Sequence, residues 1–292
     1  MNKKVGVCFS KEIGPPDPLS HIGKKLPVYL ELLDRINNQG WNAYVLTRRT
    51  YLGDGLFDGV WCYQHGKFKI QKSKVKIDLV YDRTGGINFP PENDQLNVIN
   101  NREFKLLAWD KYATYQEIGK YMPRTVWVGD LCDKFVLKPF NGLKGEGVLI
   151  GEVSKPGKYI FQEFVDTSKG LPGIVKGMHD LRVVIINGKV VWCHVREPHP
   201  GKLLANAAQG GKLTEVDYAK VPESIKEIVS IISKKFYEKY DNPVYSLDFG
   251  MGADGVPKIF EINDQIGFPL PEMKNKDKFL EELILNFKSK IN

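Results

Sequence analysis

The chain has no apolar run near the ~20 residues needed to span a bilayer, no CxxC pair, no internal repeat and no low-complexity stretch. Its four cysteines, Cys8, Cys62, Cys132 and Cys193, are scattered, and three lie in apolar runs that read as strands. That pattern predicts buried thiols in a reducing compartment and excludes a disulfide frame or a zinc site. The start, MNKKVGVCFS, turns polar too soon for a signal peptide, so a cytoplasmic location without a membrane partner is expected. A Walker phosphate loop is missing, and so is any motif for a nucleophilic serine or cysteine.

What is present is 292 residues with 42% hydrophobic content, enough for a sizeable core and, by length, two domains or three lobes. The formal charge of +7 fits nucleic-acid binding and equally an enzyme that handles phosphates and carboxylates. Lys67, Lys69, Lys72, Lys74 and Lys76 sit mostly at alternate positions, the pattern of a solvated strand face. Only Phe68 among them offers a ring for base stacking, so no nucleic-acid partner is expected.

Residues 1–100 read as an α/β unit. Val5–Phe9 and Trp41–Leu46 are strands joined by a helix over Leu26–Asn38 that Gly40 closes, which implies a parallel pair. A hairpin over Val60–Tyr63 and Lys67–Ile70 follows, then a strand over Ile77–Tyr81. Arg83 stands at the carboxyl end of that strand, where open α/β sheets bind ligands; it is either an anion contact or half of a local Asp-Arg turn.

Helices are expected after Asn101 and from Asp110 to Gly119, and strands over Thr125–Val128, Phe135–Pro139 and Tyr159–Val165. Asn187-Gly188 turns the strand Leu181–Ile186 back into Lys189–Val195. Arg182 and Arg196 come together at the open end of that hairpin, as an anion clamp or as the cap of a sheet edge. Glu197–Gly211 is a long loop with five Gly or Pro residues, and loops of this kind are functional or disordered more often than passive. Amphipathic helices over Ser224–Tyr240 and from Lys276 complete the chain.

Two stretches carry chemistry. KPFNGLKGEGV, from Lys138 to Val148, places three glycines and an asparagine after a strand-borne lysine, so its amides can close around phosphate oxygens. Ligand-free glycine hairpins are common, and the loop alone does not decide. VYSLDFGMGADGVPKIFEIND, Val244–Asp264, folds back at Asp254-Gly255. A two-residue loop pairs Ala253 with Val256, sets Asp248 opposite Glu261 and Ser246 opposite Asn263, and points Phe249, Phe260 and Ile262 to the other face. Opposed acids with Cβ atoms about 5 Å apart call for a positive charge between them. Either a hard cation sits on Asp248, Glu261 and Asn263, or water separates two acids on an edge hairpin.

In order along the chain, Asp110-Lys111, Pro123-Arg124-Thr125, Lys138-Pro139 with its glycine loop, Gln162-Glu163-Phe164-Val165, Asp180-Leu181-Arg182, Arg196 with Asn206 and Gly210-Gly211, and Asp248 with Glu261-Ile262-Asn263 resemble the ATP-grasp superfamily. The likeness is to the branch with glutathione synthetase and the ribosomal-protein glutamate ligase, and it runs from about Asn100 to Ile266. The resemblance implies an α/β (α+β) ATP-grasp fold: an N-terminal pre-ATP-grasp domain over 1–109, a lid subdomain over 110–163 and a C-terminal mixed-sheet subdomain over 164–292.

It further implies that Lys111 and Lys138 hold ATP phosphates under a lid containing Asn141, Gly142, Gly145 and Gly147. The backbone of Gln162, Glu163, Phe164 and Val165 would bind adenine, with Glu163 at its edge and Asp166 at the ribose. Arg182, Arg196 and Asn206 would hold the reacting carboxylate and phosphoryl oxygens, with Arg83, Asp180, Gly210 and Gly211 on the substrate side. Asp248, Glu261 and Asn263 would carry two Mg²⁺, for which Mn²⁺ can substitute. The implied reaction joins a small-molecule or peptide carboxylate to an amine through an acyl phosphate, releasing ADP. A kinase acting on a hydroxyl and a nucleotide-binding module without turnover are the competing readings, and homo-oligomerisation stays open.

Overall fold

The computed structural model describes residues 2–10, 18–126, 135–140, 147–150, 159–199 and 211–291. In chain order its elements are β1 (Lys4–Phe9), α1 (Leu26–Asn37), β2 (Asn42–Thr47), β3 (Tyr51–Gly53), β4 (Leu56–Phe57), β5 (Val60–Gln64), β6 (Lys67–Gln71), β7 (Val75–Lys76) and β8 (Leu79–Arg83). There follow α2 (Arg102–Trp109), α3 (Lys111–Ile118), β9 (Thr125–Val126), β10 (Phe135–Pro139), β11 (Leu149–Ile150), β12 (Tyr159–Glu163), β13 (Asp180–Ile186) and β14 (Lys189–Glu197). The last are β15 (Lys212–Glu215), α4 (Glu223–Lys239), β16 (Tyr245–Met251), β17 (Pro257–Asn263) and α5 (Lys276–Ile291). The result is a mixed α/β fold of several sheets, in two compact units. Met1–Arg102, Tyr240–Val244 and Gln265–Asn292 make the first; Glu103–Lys239 and Tyr245–Asp264 make the second.

The first unit is built on a sheet of order β6-β5-β2-β1-β8. β1 lies between β2 and β8 and runs parallel to both. Its apolar side chains are buried along almost its whole length, as befits a strand covered on both faces. α1 is the crossover from β1 to β2 and turns Val28, Tyr29, Leu32, Leu33 and Ile36 inward. α5 belongs to the same unit and buries Phe279, Leu280, Leu283 and Phe287. Phe268 stacks on Tyr29 at 4.0 Å between centroids and meets Phe279 edge-on at 5.0 Å. The small sheet β3-β4-β7 was not expected, because strands of two or three residues are too short to carry a periodic signal.

The second unit holds two antiparallel sheets, β11-β10-β12-β9 and β15-β14-β13-β16-β17. Asn187 and Gly188, with φ of 55° and 68°, make the tight turn between β13 and β14. α4 buries Ile225, Val229, Ile232 and Phe236. Phe236 meets Phe104 and Tyr245 in one aromatic cluster. β15, directly after the expected loop Glu197–Gly211, is a strand for which no element is expected from the sequence; it pairs with the end of β14, from His194 opposite Glu215 to Glu197 opposite Lys212. Among the described residues no helix is long and apolar enough to cross a membrane.

Candidate active site

One face of the larger sheet in the second unit gathers the charged residues. Strand alternation puts Asp180 and Arg182 on the same side of β13. The register then sets Arg196 opposite Asp180, His194 and Asp248 on either side of Arg182, and Glu261 beyond Asp248. Ser246 stands opposite Asn263, as the sequence count requires.

The turn itself differs from the count. Gly252 N–H donates to Val256 O at 3.0 Å, so Ala253, Asp254 and Gly255 form a three-residue loop with Gly255 at φ 81°. Alone this would shift the register by one residue. A β-bulge restores it, since Phe249 faces Ile259 while Asp248 faces Glu261, leaving Phe260 as the extra residue. The bulge also corrects the expected direction of Phe260. A Cβ added to Gly250, which shares the face of Asp248, would lie 2.2 Å from Phe260 Cζ, so the ring covers the site face instead of the opposite one.

The positive charge required between the opposed acids is supplied by the chain. Arg182 donates from Nε to Asp248 Oδ1 at 2.7 Å and from Nη2 to Oδ2 at 2.6 Å. Arg196 Nη2 donates to Asp248 Oδ2 at 2.7 Å and also to Asp180 Oδ2. Asn263 Nδ2 donates to Asp248 Oδ2 at 3.2 Å. The two arginines thus do converge, and the anion they clamp is Asp248 itself.

Burial by itself would raise the Asp248 carboxyl, but the Arg182 and Arg196 guanidinium groups outweigh it and hold that carboxyl far below the usual range. Burial also raises Asp180 and wins there, against the pull of Arg196 and with Asp248 adding to the rise. Asp180 Oδ1 is buried without a hydrogen-bond partner.

Lys138, on β10, donates from Nζ to Phe260 O at 3.2 Å, with the Phe260 ring centroid 5.9 Å away. Burial pushes its ammonium down from 10.5 to about 8, opposed mainly by Glu261. Lys111, the first residue of α3, is lowered by burial and supported by Glu261 and then Asp110. Asp110 caps that helix by accepting from the N–H groups of Tyr112 and Ala113. Four cations, Lys111, Lys138, Arg182 and Arg196, therefore face four carboxylates, Asp110, Asp180, Asp248 and Glu261. The signs balance, and Lys138, whose charge burial disfavours, would gain support from a bound polyanion.

The donor set also fits a hard cation. Among the described residues no three His, Cys, Asp or Glu side chains form a metal nest. Asn263 supplies the third oxygen instead, and its Oδ1 stays available because Nδ2 makes the bond to Asp248. Asp248 Oδ1 accepts one bond, from Arg182, and keeps a lone pair. Two carboxylates and an amide oxygen suit Mg²⁺.

Other expected residues are placed as follows. Gln162 is buried and donates to Thr125 Oγ1 at 3.0 Å. Glu163 gives its N–H to Arg124 O at 2.8 Å and accepts the Arg124 N–H on Oε2 at 3.3 Å, so its amide is already used within the sheet. Phe164 and Val165 follow the end of β12. Asp166 accepts from Ser168 N–H on Oδ1 and from Ala253 N–H on its carbonyl.

Gly147 has φ 72°, and a Cβ there would lie 2.9 Å from Pro139 Cγ, so a side chain is excluded. Gly211 directly precedes β15. Asn141, Gly142, Gly145, Asn206 and Gly210 lie outside the described residues. Arg83 belongs to the first unit. Its Nη2 donates to Ile266 O at 2.7 Å, and its guanidinium lies over the rings of Tyr81 and Phe268 at 5.3 and 5.5 Å.

Sequence reasoning passed over His179. It is buried, with Nδ1 3.1 Å from Gly177 O and Nε2 accepting from Met251 N–H at 3.2 Å. The pair of contacts fixes one neutral tautomer and ties the loop before β13 to the end of β16. Nothing in the local pattern signals it, since both partners are backbone groups.

No family model matches the chain. Among curated proteins it resembles the glutathione synthetase of Prochlorococcus marinus subsp. pastoris, 23% identical over 209 residues, which span 63% of this chain and 64% of that protein. Among solved structures it resembles the VanG D-Ala:D-Ser ligase of Enterococcus faecalis, with a TM-score of 0.65 and 13% identity over 98% of this chain and 100% of that one. D-alanyl-alanine synthetase A of Vibrio cholerae gives 0.62 at 12% identity over 100% and 99%. The ATP-grasp ligase PsnB with a minimal precursor gives 0.59 at 14% over 98% and 100%, and PsnB has also been solved with Mg and ADP. The chain therefore has the ATP-grasp fold, and the proteins it resembles in that fold are ligases.

Proposed function

We propose that the protein is an ATP-dependent carbon–nitrogen ligase that activates a carboxylate as an acyl phosphate and passes it to an amine. The observation that carries this reading is the gathering of Lys111, Lys138, Arg182 and Arg196 about a Glu261–Asn263–Asp248 oxygen set. The ligases that share the fold, one of them solved with Mg and ADP, support it.

In this mechanism Lys111 and Lys138 hold the terminal phosphates, and Arg182 and Arg196 orient the carboxylate and bear the charge that grows on its oxygens. Phosphoryl transfer depends chiefly on such positioning and charge, so the reading needs no serine or cysteine nucleophile motif. Magnesium, when bound, would rest on Glu261, Asn263 and the free lone pair of Asp248 Oδ1 and supply charge neutralisation at the phosphates. Amine attack then expels phosphate and leaves the amide.

The test is ADP release over pairs of carboxylates and amines, including amino acids and short peptides, with product mass determined. ADP with a phosphorylated hydroxyl acceptor and no amine requirement would replace the reading by a kinase. Tight ATP binding without ADP release from any pair would reduce it to a binding module.

A further inference from the structure

The five lysines between Asp58 and Asp78 have no part in this chemistry, and no acid interrupts them. In the first unit Lys67 and Lys69 lie on β6 at the outer edge of the main sheet, Lys72 and Lys74 follow that strand, and Lys76 belongs to β7 of the small sheet. β6 is the terminal strand, and among the described residues nothing pairs with its far side. The opposite edge is treated differently: Val80 N–H donates to Asn97 O and Ile99 N–H to Val80 O, both at 2.9 Å, which closes β8. Among the described residues one edge of this sheet is sealed and the other is open.

The geometry of the open edge follows from its hairpin. His65 and Gly66, with φ of 49° and 73°, form a two-residue turn that makes Gln64 and Lys67 the closing hydrogen-bonded pair. Hydrogen-bonded and non-bonded pairs alternate in an antiparallel ladder, so Lys69 and Gln71 also bond inward to β5. The backbone N–H and C=O groups of Phe68 and Ile70 therefore point outward.

Side chains alternate about the same edge. Lys67 and Lys69 are exposed on one face; Phe68 lies against Tyr63, 4.9 Å between ring centroids, on the other, beside Ile70 at 42% exposure. Lys72, Lys74 and Lys76 continue the exposed charge, and none of the five lysines enters an ion pair with a described residue. Lysines repel a second copy of the same edge, which removes this chain as the occupant.

We infer that the outer edge of β6 is a docking site for an acidic polypeptide segment, bound as an added strand with carboxylates at alternate positions and apolar side chains between. The backbone groups of Phe68 and Ile70 supply the ladder, Lys67 and Lys69 meet the carboxylates, and Ile70 meets the apolar side chains. The site is separate from the ligase reading, and its test uses neither nucleotide nor magnesium, so the two stand or fall apart.

Fluorescence anisotropy with a labelled peptide alternating Glu and Val is the direct measurement. Binding to the full chain should weaken about tenfold when Lys67, Lys69 and Lys72 are changed together to Glu, and the altered chain should bind the Lys-Val peptide instead. Phe68→Pro removes an outward N–H and should also cost about tenfold, as should methylating alternate peptide nitrogens. The methylated peptide needs no change in the protein, so it decides the matter if a variant misfolds. The inference is overturned if the Glu-Val peptide does not bind, if it binds equally after charge reversal or methylation, or if a single-stranded oligonucleotide binds more tightly and displaces it.

Discussion

Lys138 is the position where stability and anion binding should pull apart. Its ammonium sits at about 8 instead of 10.5 because burial outweighs the support of Glu261. At 1.36 kcal/mol per unit, that displacement amounts to about 3 kcal/mol of stability missing at pH 7. The side chain keeps some solvent contact, so about 2 kcal/mol is the fairer figure, and Lys138→Met also gives up the bond to Phe260 O, about 1 kcal/mol.

The Met variant should therefore be about 1 kcal/mol more stable than the parent at pH 7 while losing ATP affinity. Above pH 8 the folded parent releases a proton that its unfolded chain still holds, so the parent gains stability with rising pH up to 10.5 and the advantage of Met closes. Hydrogen exchange of the β16 and β17 amides reports this unit by itself. A Met variant less stable at pH 7, or a gap between the two proteins that does not change between pH 7 and 9.5, would refute the charge argument. ATP affinity measured by calorimetry should fall in the parent above pH 8, where the free lysine loses its charge.

Glu261→Gln should abolish magnesium-dependent ADP release and cost about 1 kcal/mol at pH 7, because no described group donates a hydrogen bond to that carboxylate but its charge supports the buried Lys138 and Lys111 ammonium groups. Asp248→Asn is a different experiment: it strands two buried guanidinium groups and should cost about 3–5 kcal/mol in denaturant unfolding. His179 is lowered from 6.5 by burial, so stability should drop as pH falls below 6.5, where the unfolded chain takes up a proton that the folded one refuses. Unfolding midpoints at pH 7.5 and 5.5 should show that drop in the parent and a smaller one in His179→Gln. Gly250→Ala should cost about 1–3 kcal/mol, because its Cβ collides with the Phe260 ring and with Thr167, and Phe260→Leu in the same chain should recover part of the loss.

Local signals carried far in this chain. Asn187-Gly188 favours left-handed backbone at both turn positions, so its hairpin could be read directly, whereas the hairpin expected with Gln64-His65-Gly66 between its strands closes on a two-residue His65-Gly66 turn, with Gln64 paired to Lys67. The apolar run of β1 and the stripe of α1 likewise fixed a parallel pair. The site hairpin is more instructive. Counting from Asp254-Gly255 placed Asp248 opposite Glu261 correctly by way of a wrong loop, because the extra residue Phe260 cancels the error. A bulge leaves no mark in a pattern of alternating residues, so the direction of the Phe260 ring could not be read.

Partner choice was the other thing hidden from the sequence. Opposed acids demanded a positive charge, and a metal was the nearest answer in sequence terms. Arg182 is 66 residues from Asp248 and Arg196 is 52; only the β13–β14–β16 register brings them together. The pairing changes what the acids mean. Asp248, held far below its usual range by two guanidinium groups, is anchored by the chain whether or not a cation is present. Glu261 makes no such bond with a described residue. The work of admitting a cation therefore falls on Glu261 and Asn263, and the outcome of Glu261→Gln, more than that of any change at Asp248, separates a magnesium site from a structural ion-pair cluster.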